Sequence, residues 1–278
     1  MTDLTTLLLL LAVPALWLDR RLALGLLAAA MASGLLDARL EPAGAASLAG
    51  FAALAGLSAR RRAGWPGVAA WAALLAFAAV LYLRLAPGFP AWSVMGPVRI
   101  GDGAPYEKWL SFDKTGAGIL LLALAVPALH GRHGWRRLLA RAAPLLVLTP
   151  VLLLGTALAA GALDRDVTFS RAFLWWGTLN LLTTCMSEEA LFRGLLQARL
   201  VGAATRRGLS PHSAILLTAL VFGTAHAAGG APLVLFATLA GVGYGYAFHV
   251  TQRIEAAILC HFAVNAAHFL FLTYPYPT

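Results

Sequence analysis

A long apolar segment in the second half of the chain has the sequence AFLWWGTLNLLTTCMSEEALFRGLLQA at residues 172–198. A helix needs about 20 apolar residues to cross a membrane, and this segment exceeds that length. It nevertheless carries two adjacent carboxylates and a guanidinium: Glu188, Glu189 and Arg193. A charged side chain at the centre of a spanning helix costs about 2.5–3.5 kcal/mol, so an intramembrane charge cluster indicates a functional site.

The rest of the chain has the same apolar composition. Of its 278 residues, 60% are hydrophobic and only 12% are charged, whereas about 25% of residues are charged in soluble domains. The sequence therefore predicts an all-α, polytopic transmembrane helix bundle of eight to ten spans. The abundance of alanine, leucine and arginine is typical of GC-rich bacteria and favours a bacterial cytoplasmic (inner) membrane. The candidate spans are residues 4–18, 22–36, 43–58, 65–86, 116–130, 143–163, 172–198, 211–228, 231–250 and 254–274.

The composition changes along the chain and predicts two regions. Residues 1–115 are predicted to hold accessory membrane helices and a long extramembrane loop. Residues 87–115 form this loop because they are rich in proline, glycine and interfacial aromatic residues. Residues 116–278 are predicted to hold the C-terminal membrane helices, with a catalytic core at about 172–270. The intramembrane groups that could perform chemistry all follow residue 172.

The basic residues do not indicate a nucleic-acid partner. The net charge is +9, but the arginines lie between the hydrophobic runs, where they serve as topology signals for membrane insertion. The two cysteines, Cys185 and Cys260, lie within apolar runs. We expect both to be buried small hydrophobic residues without a disulfide.

The spacing of the charged residues in the segment at 172–198 predicts two different roles. Glu189 and Arg193 are four residues apart, so they share a helix face and are predicted to form a buried ion pair. Glu188 is rotated by about 100° from Glu189 and therefore faces elsewhere. We expect Glu188 to face a polar cavity, while the ion pair supports the packing of the helix.

Two later segments each carry a histidine that shares a helix face with a second motif residue. Phe222 and His226 are four residues apart, as are His261 and Asn265. Packing could explain each motif alone. Together, on three different helices, they resemble a water-activating hydrolytic site, since a carboxylate can act as a general base and histidine or asparagine can stabilise an oxyanion. The chain contains no His-Glu-x-x-His, Gly-x-Ser-x-Gly, Walker or dinucleotide-binding motif.

The three motifs, in this order, resemble those of the CPBP family, the CaaX proteases and bacteriocin-processing enzymes, which are glutamate-type intramembrane endopeptidases. The family pattern is Glu-Glu-x-x-x-Arg, then Phe-x-x-x-His, then His-x-x-x-Asn, each on its own membrane helix. All three are intact, and the resemblance covers roughly residues 172–270. It implies that Glu188 and His226 activate water and that His261 and Asn265 stabilise the oxyanion, with Glu189, Arg193 and Phe222 in support.

The resemblance implies an endopeptidase that hydrolyses a peptide bond, near the C-terminus, of a membrane-associated protein or peptide. A non-catalytic membrane scaffold or immunity protein is the first alternative, and a proton-coupled transporter is a weaker one. Two histidines and a carboxylate could also form a zinc site. Asn265, however, shares a face with His261 and suits oxyanion donation better than zinc ligation, so we expect no metal and no other cofactor.

Overall fold

The computed structural model describes residues 3–61, 64–126 and 132–275. It is 75% helical, which confirms the predicted all-α class. Within the described residues, each predicted span corresponds to a helix or, at residues 172–198, to a series of helical elements, and residues 127–130 of the span predicted at 116–130 lie outside the described residues. The helices are α1 (Leu4–Ala15), α2 (Arg20–Leu36), α3 (Pro42–Arg60), α4 (Gly64–Tyr82), α5 (Phe112–Leu124), α6 (Arg132–Ala159), α7 (Ala172–Leu179), α8 (Met186–Glu189), α9 (Ala198–Arg206), α10 (Pro211–Thr224), α11 (Gly230–Thr251) and α12 (Ile254–Phe271).

Several of these helices have the length and composition of membrane spans. Within the described ranges, five are long and apolar enough to cross a membrane, namely α3, α4, α6, α12 and the stretch Ala227–Thr251 that contains α11. Helices α1 and α10 are apolar but shorter. Only 22% of the most apolar window of α6 is buried, and such an exposed apolar face suits contact with lipid rather than water. The total of eight to ten spans stays a prediction.

The segment predicted as an extramembrane loop, residues 87–115, contains regular structure that the sequence analysis did not predict. Strands β1 (Trp92–Val98) and β2 (Tyr106–Leu110) form a two-stranded sheet. Helix α5 begins at Phe112, before the predicted end of the loop, and Ser111 is its N-cap residue with the extended backbone that is usual at this position. Asp113 in the first turn of α5 favours this start, since the N-terminus of a helix carries partial positive charge.

The chain divides into two compact units that alternate along the sequence. The first contains Met1–Val94, Lys108–His130 and Leu182–Leu195, and the second contains Met95–Glu107, Gly131–Leu181 and Leu196–Thr278. The predicted functional division at residue 115 stays a prediction.

Helix α5 is the centre of the first unit. Every residue of α5 except Lys114 and Leu124 is buried. Helix α5 packs against α8, and the approach is close because a Cβ atom at Gly118 would lie 2.8 Å from the Cα atom of Ser187. A glycine at this contact lets the two helix backbones approach, as small residues do between membrane helices. The motif of two adjacent glutamates is therefore held against the most buried helix of its unit.

Helix α11 is the centre of the second unit and packs against α6, α10 and α12. One end of this unit is held by an aromatic cluster. The ring of Trp176 lies 4.3 Å from that of Phe269, and the indole N–H of Trp176 donates to the hydroxyl of Tyr274 at 3.0 Å. These contacts join α7 to the C-terminal end of α12, the helix that carries His261 and Asn265.

Candidate active site

The helix that carries the paired glutamates is not a regular α-helix, in contrast to the predicted single span. Helix α8 lies between two π-helical segments, Asn180–Cys185 and Ala190–Gln197. A π-helical turn bonds each N–H to the carbonyl five residues back, and such turns occur frequently at functional sites. The hydrophobic pattern of the sequence did not reveal these segments.

The predicted ion pair between Glu189 and Arg193 is present. One guanidinium nitrogen, Nη1 of Arg193, lies 3.1 Å from both carboxylate oxygens of Glu189. Both side chains are fully buried, with no exposed surface. Because removing one partner would leave a buried charge uncompensated, this pair supports the packing of the helix.

Glu188 has a different environment from its neighbour. Its side chain is half-buried, whereas that of Glu189 is buried. Among the described residues of its own unit, Glu188 forms no hydrogen bond and no ion pair. The backbone beside it is held in place, since the hydroxyl of Tyr82 donates to the carbonyl oxygen of Ser187 at 2.5 Å. A general base must reach the proton that it abstracts, and the half-buried carboxylate of Glu188 is the more accessible of the two.

His226, in the second unit, lies directly after helix α10 and makes a contact that determines its tautomer. Its Nδ1 atom lies 2.8 Å from the carbonyl oxygen of Phe222. Because a carbonyl oxygen only accepts hydrogen bonds, Nδ1 must carry the proton and donate it. In the neutral ring, Nε2 therefore carries the lone pair and is able to accept a hydrogen bond from water.

Two aromatic rings, those of Tyr244 and Phe222, contact the predicted site histidines of the second unit. Tyr244 stacks on His261 with ring centroids 4.5 Å apart and an angle of 14° between the planes. Phe222 lies edge-on to His261 at 5.9 Å and contacts His226 at 4.7 Å. The ring of Phe222 therefore lies against both predicted catalytic histidines, which explains physically why an aromatic residue is suited to this position.

Asn265 is oriented by a second asparagine. Its Nδ2 atom donates to Oδ1 of Asn180 at 3.1 Å. Asn180 is buried, while Asn265 is half-buried. This contact fixes the orientation of the amide group of Asn265.

The structure places both His226 and His261 against the ring of Phe222 in the second unit, where Asn265 also lies, and it places Glu188 in the first unit. The convergence of all four residues on one cavity stays a prediction. Tyr244 was missed by the sequence analysis, because a tyrosine in an apolar helix has no spacing signal of its own. Asn180 lies upstream of the glutamates and outside the three motifs.

His268, which lies on the same helix as Asn265, has a structural environment. Its Nε2 atom lies 3.1 Å from the carbonyl oxygen of Thr273, and its ring contacts Tyr274 at 5.1 Å. It therefore belongs to the aromatic end of the second unit.

The long apolar helices are those of an integral membrane protein. Residues 170–267 match the family model "Rce1-like: Type II CAAX prenyl endopeptidase Rce1-like". The match contains all three motifs and confirms the similarity to the CaaX-type proteases of the CPBP family that they indicated. No curated protein and no solved structure matches the chain.

Proposed function

We propose that the protein is an intramembrane endopeptidase of the bacterial inner membrane. It hydrolyses a peptide bond near the C-terminus of a membrane-associated protein or peptide, and the nucleophile is a water molecule activated by Glu188. The membrane helices and the family of residues 170–267 support a membrane protease. The environments of the motif residues support the glutamate mechanism.

In the proposed reaction, Glu188 accepts a proton from water while Nε2 of His226 accepts a hydrogen bond from the same water. The resulting hydroxide forms a bond to the carbonyl carbon of the substrate, and the carbonyl oxygen becomes an oxyanion. His261 and Asn265 donate hydrogen bonds to that oxyanion. Collapse of the intermediate breaks the C–N bond, and Glu188 returns its proton to the leaving amine.

The observation that carries this proposal is the contrast between two adjacent carboxylates. Glu189 has no exposed surface and is paired with Arg193 at 3.1 Å. Glu188 is half-buried and has no ion pair among the described residues of its unit. A non-catalytic scaffold or immunity protein needs only the ion-paired carboxylate of Glu189. A hydrolase also needs the more accessible carboxylate of Glu188.

The membrane proteome provides the direct test. Cells that lack the protein, cells that express the wild type and cells that express the inactive Glu188→Gln variant are compared by C-terminal peptide analysis. We expect at least one membrane-associated protein to have a shortened C-terminus only in cells that express the wild type. Identical C-termini in all three cell lines, with the wild type present in the membrane, would favour the scaffold alternative.

Replacement of Asn265 by alanine is expected to lower kcat by about 10²–10³-fold, the usual effect of removing one oxyanion-hole donor. The expected cause is the loss of the Nδ2 donor that Asn180 now orients. The measurement is turnover of the identified substrate by purified enzyme. His268→Gln is the matched control, since His268 lies on the same helix but contacts Tyr274. Wild-type kcat in Asn265→Ala would exclude this role.

The enzyme is expected to act without a metal ion, because an amide beside His261 is better suited to oxyanion donation than to zinc ligation. After exhaustive chelation, purified protein should keep its rate of peptide hydrolysis, and elemental analysis should find no metal in stoichiometric amount. Activity that is lost on chelation and restored by zinc, together with one bound zinc per chain, would contradict this prediction.

A further inference from the structure

A lysine of strand β2 lies beside the glutamate motif, within the first unit. Lys108 is on strand β2 and is half-buried. Its Nζ atom donates to the hydroxyl of Thr184 at 2.7 Å. Thr184 precedes Glu188 by four residues, so the ammonium lies about one helical turn from the proposed general base. None of the three sequence motifs includes this lysine.

The charge of Lys108 is not neutralised by an ion pair. Three arginines of the same unit have carboxylate partners: Arg193 with Glu189, Arg84 with Asp113, and Arg39 with Asp3. Within the part of this unit that the structure describes, Lys108 has no such partner. An ammonium has three N–H donors, and the contact with Thr184 uses one of them.

Burial makes this arrangement costly for the charged form of Lys108. Burial lowers the pKa of Lys108 below its usual value of 10.5, while the nearby carboxylate of Glu188 acts in the opposite direction and only partly compensates. A partly desolvated cation with available donors is stabilised by an anionic ligand. An ion pair with a bound carboxylate would supply the missing compensation.

None of the other charged and titratable groups described around Glu188 forms an ion pair that would offset the burial of the positive charge of Lys108. Asp113 is paired with Arg84, and Glu189 is paired with Arg193. The remaining groups are Lys114, whose charge repels that of Lys108, together with the thiol of Cys185 and the phenol of Tyr82. The surroundings therefore suit an added negative charge at Lys108.

The spacing between Lys108 and Glu188 fits a short C-terminal peptide. The four residues from Thr184 to Glu188 correspond to about 6 Å along the helix axis, and an extended peptide advances about 3.3 Å per residue. The hydrogen bond to the ammonium adds its own length to this distance. A peptide whose C-terminal carboxylate is bound to Lys108 would therefore place the bond about two or three residues from its end beside Glu188.

We propose that Lys108 binds the C-terminal carboxylate of the substrate and thereby selects chains with a free C-terminus. This inference rests on the proposed function. It makes Lys108 a residue that determines specificity, and it explains physically how a protease recognises an end of a chain rather than an internal segment.

The test uses the substrate peptide that the proteome comparison identifies, synthesised once with a free C-terminal carboxylate and once as the C-terminal amide. We expect wild-type enzyme to hydrolyse the carboxylate form with a kcat/KM about 10- to 100-fold higher, the usual contribution of a hydrogen bond to a charged group. Lys108→Met should remove this preference, mainly by raising KM for the carboxylate form. Lys108→Arg should keep most of it.

Lys114→Met is the matched control, since it removes a neighbouring positive charge that has no contact with Thr184, and it should keep the preference. Thermal unfolding in detergent verifies that each variant is folded, and Lys108→Arg provides the comparison if Lys108→Met does not fold.

Equal hydrolysis of both peptides by the wild type would overturn the inference. An equal loss on both peptides in Lys108→Met would also overturn it, because that result assigns Lys108 to the general stability or chemistry of the site. Hydrolysis of neither peptide by the wild type would instead contradict the proposed function itself.

Discussion

Glu188→Gln is expected to lower the rate of peptide hydrolysis by about 10²–10⁴-fold, the usual contribution of a general base. Glutamine nearly preserves the shape of the side chain but cannot accept a proton from water. Because Glu188 is half-buried and has no ion pair among the described residues of its unit, its replacement should cost little stability. The measurement is turnover of the identified substrate by purified protein.

Folding of the Glu188→Gln variant is verified by its thermal unfolding midpoint in detergent, which should stay close to that of the wild type. This comparison separates a catalytic role from a structural one. A variant that retains wild-type turnover would show that Glu188 is not the base. A variant that unfolds during purification would assign Glu188 a structural role instead.

Glu189→Gln is expected to have the opposite pattern, with a large loss of stability. The variant leaves Arg193 buried without its charged partner, and breaking a buried ion pair in this way costs about 3–5 kcal/mol. Glu189 and Arg193 have no exposed surface, so solvent cannot compensate. The free energy of unfolding, measured by denaturation in detergent, should fall by about this amount. The remaining folded protein should retain much of its activity.

The double variant Glu189→Met with Arg193→Met provides the matched control. Replacing both members of a buried ion pair with apolar groups of similar size is often neutral or stabilising. We therefore expect the double variant to be more stable than Glu189→Gln. If Glu188→Gln and Glu189→Gln lose activity equally and unfold at the same temperature, the proposed division between the two carboxylates is wrong.

The membrane helices and the ion pair were predictable because both follow from local sequence. Apolar runs of sufficient length give helices in the predicted order, since each helix satisfies its own backbone hydrogen bonds within a membrane. The pair of Glu189 and Arg193 follows from a spacing of four residues on one helix. The same reasoning placed the motif residues on helices and led to the family that the match to residues 170–267 confirms.

Other features depend on contacts between residues that are distant in the sequence. Lys108 meets Thr184 across 76 residues, and Asn265 meets Asn180 across 85 residues. The spacing of residues along a helix predicts which side chains share a face of that helix. It does not predict which distant part of the chain packs against that face. The two strands within residues 87–115 were missed because proline and glycine are frequent there, as in loops.

The sequence by itself determined an all-α membrane protein, the three motifs and the pairing of Glu189 with Arg193, because length, hydropathy and helical spacing are local properties. Only the tertiary structure decided the environments of the site residues. Packing places the ring of Phe222 against two histidines, stacks Tyr244 on His261 and brings Lys108 to the glutamate motif. These contacts form when helices and strands far apart in the chain bury their side chains against one another.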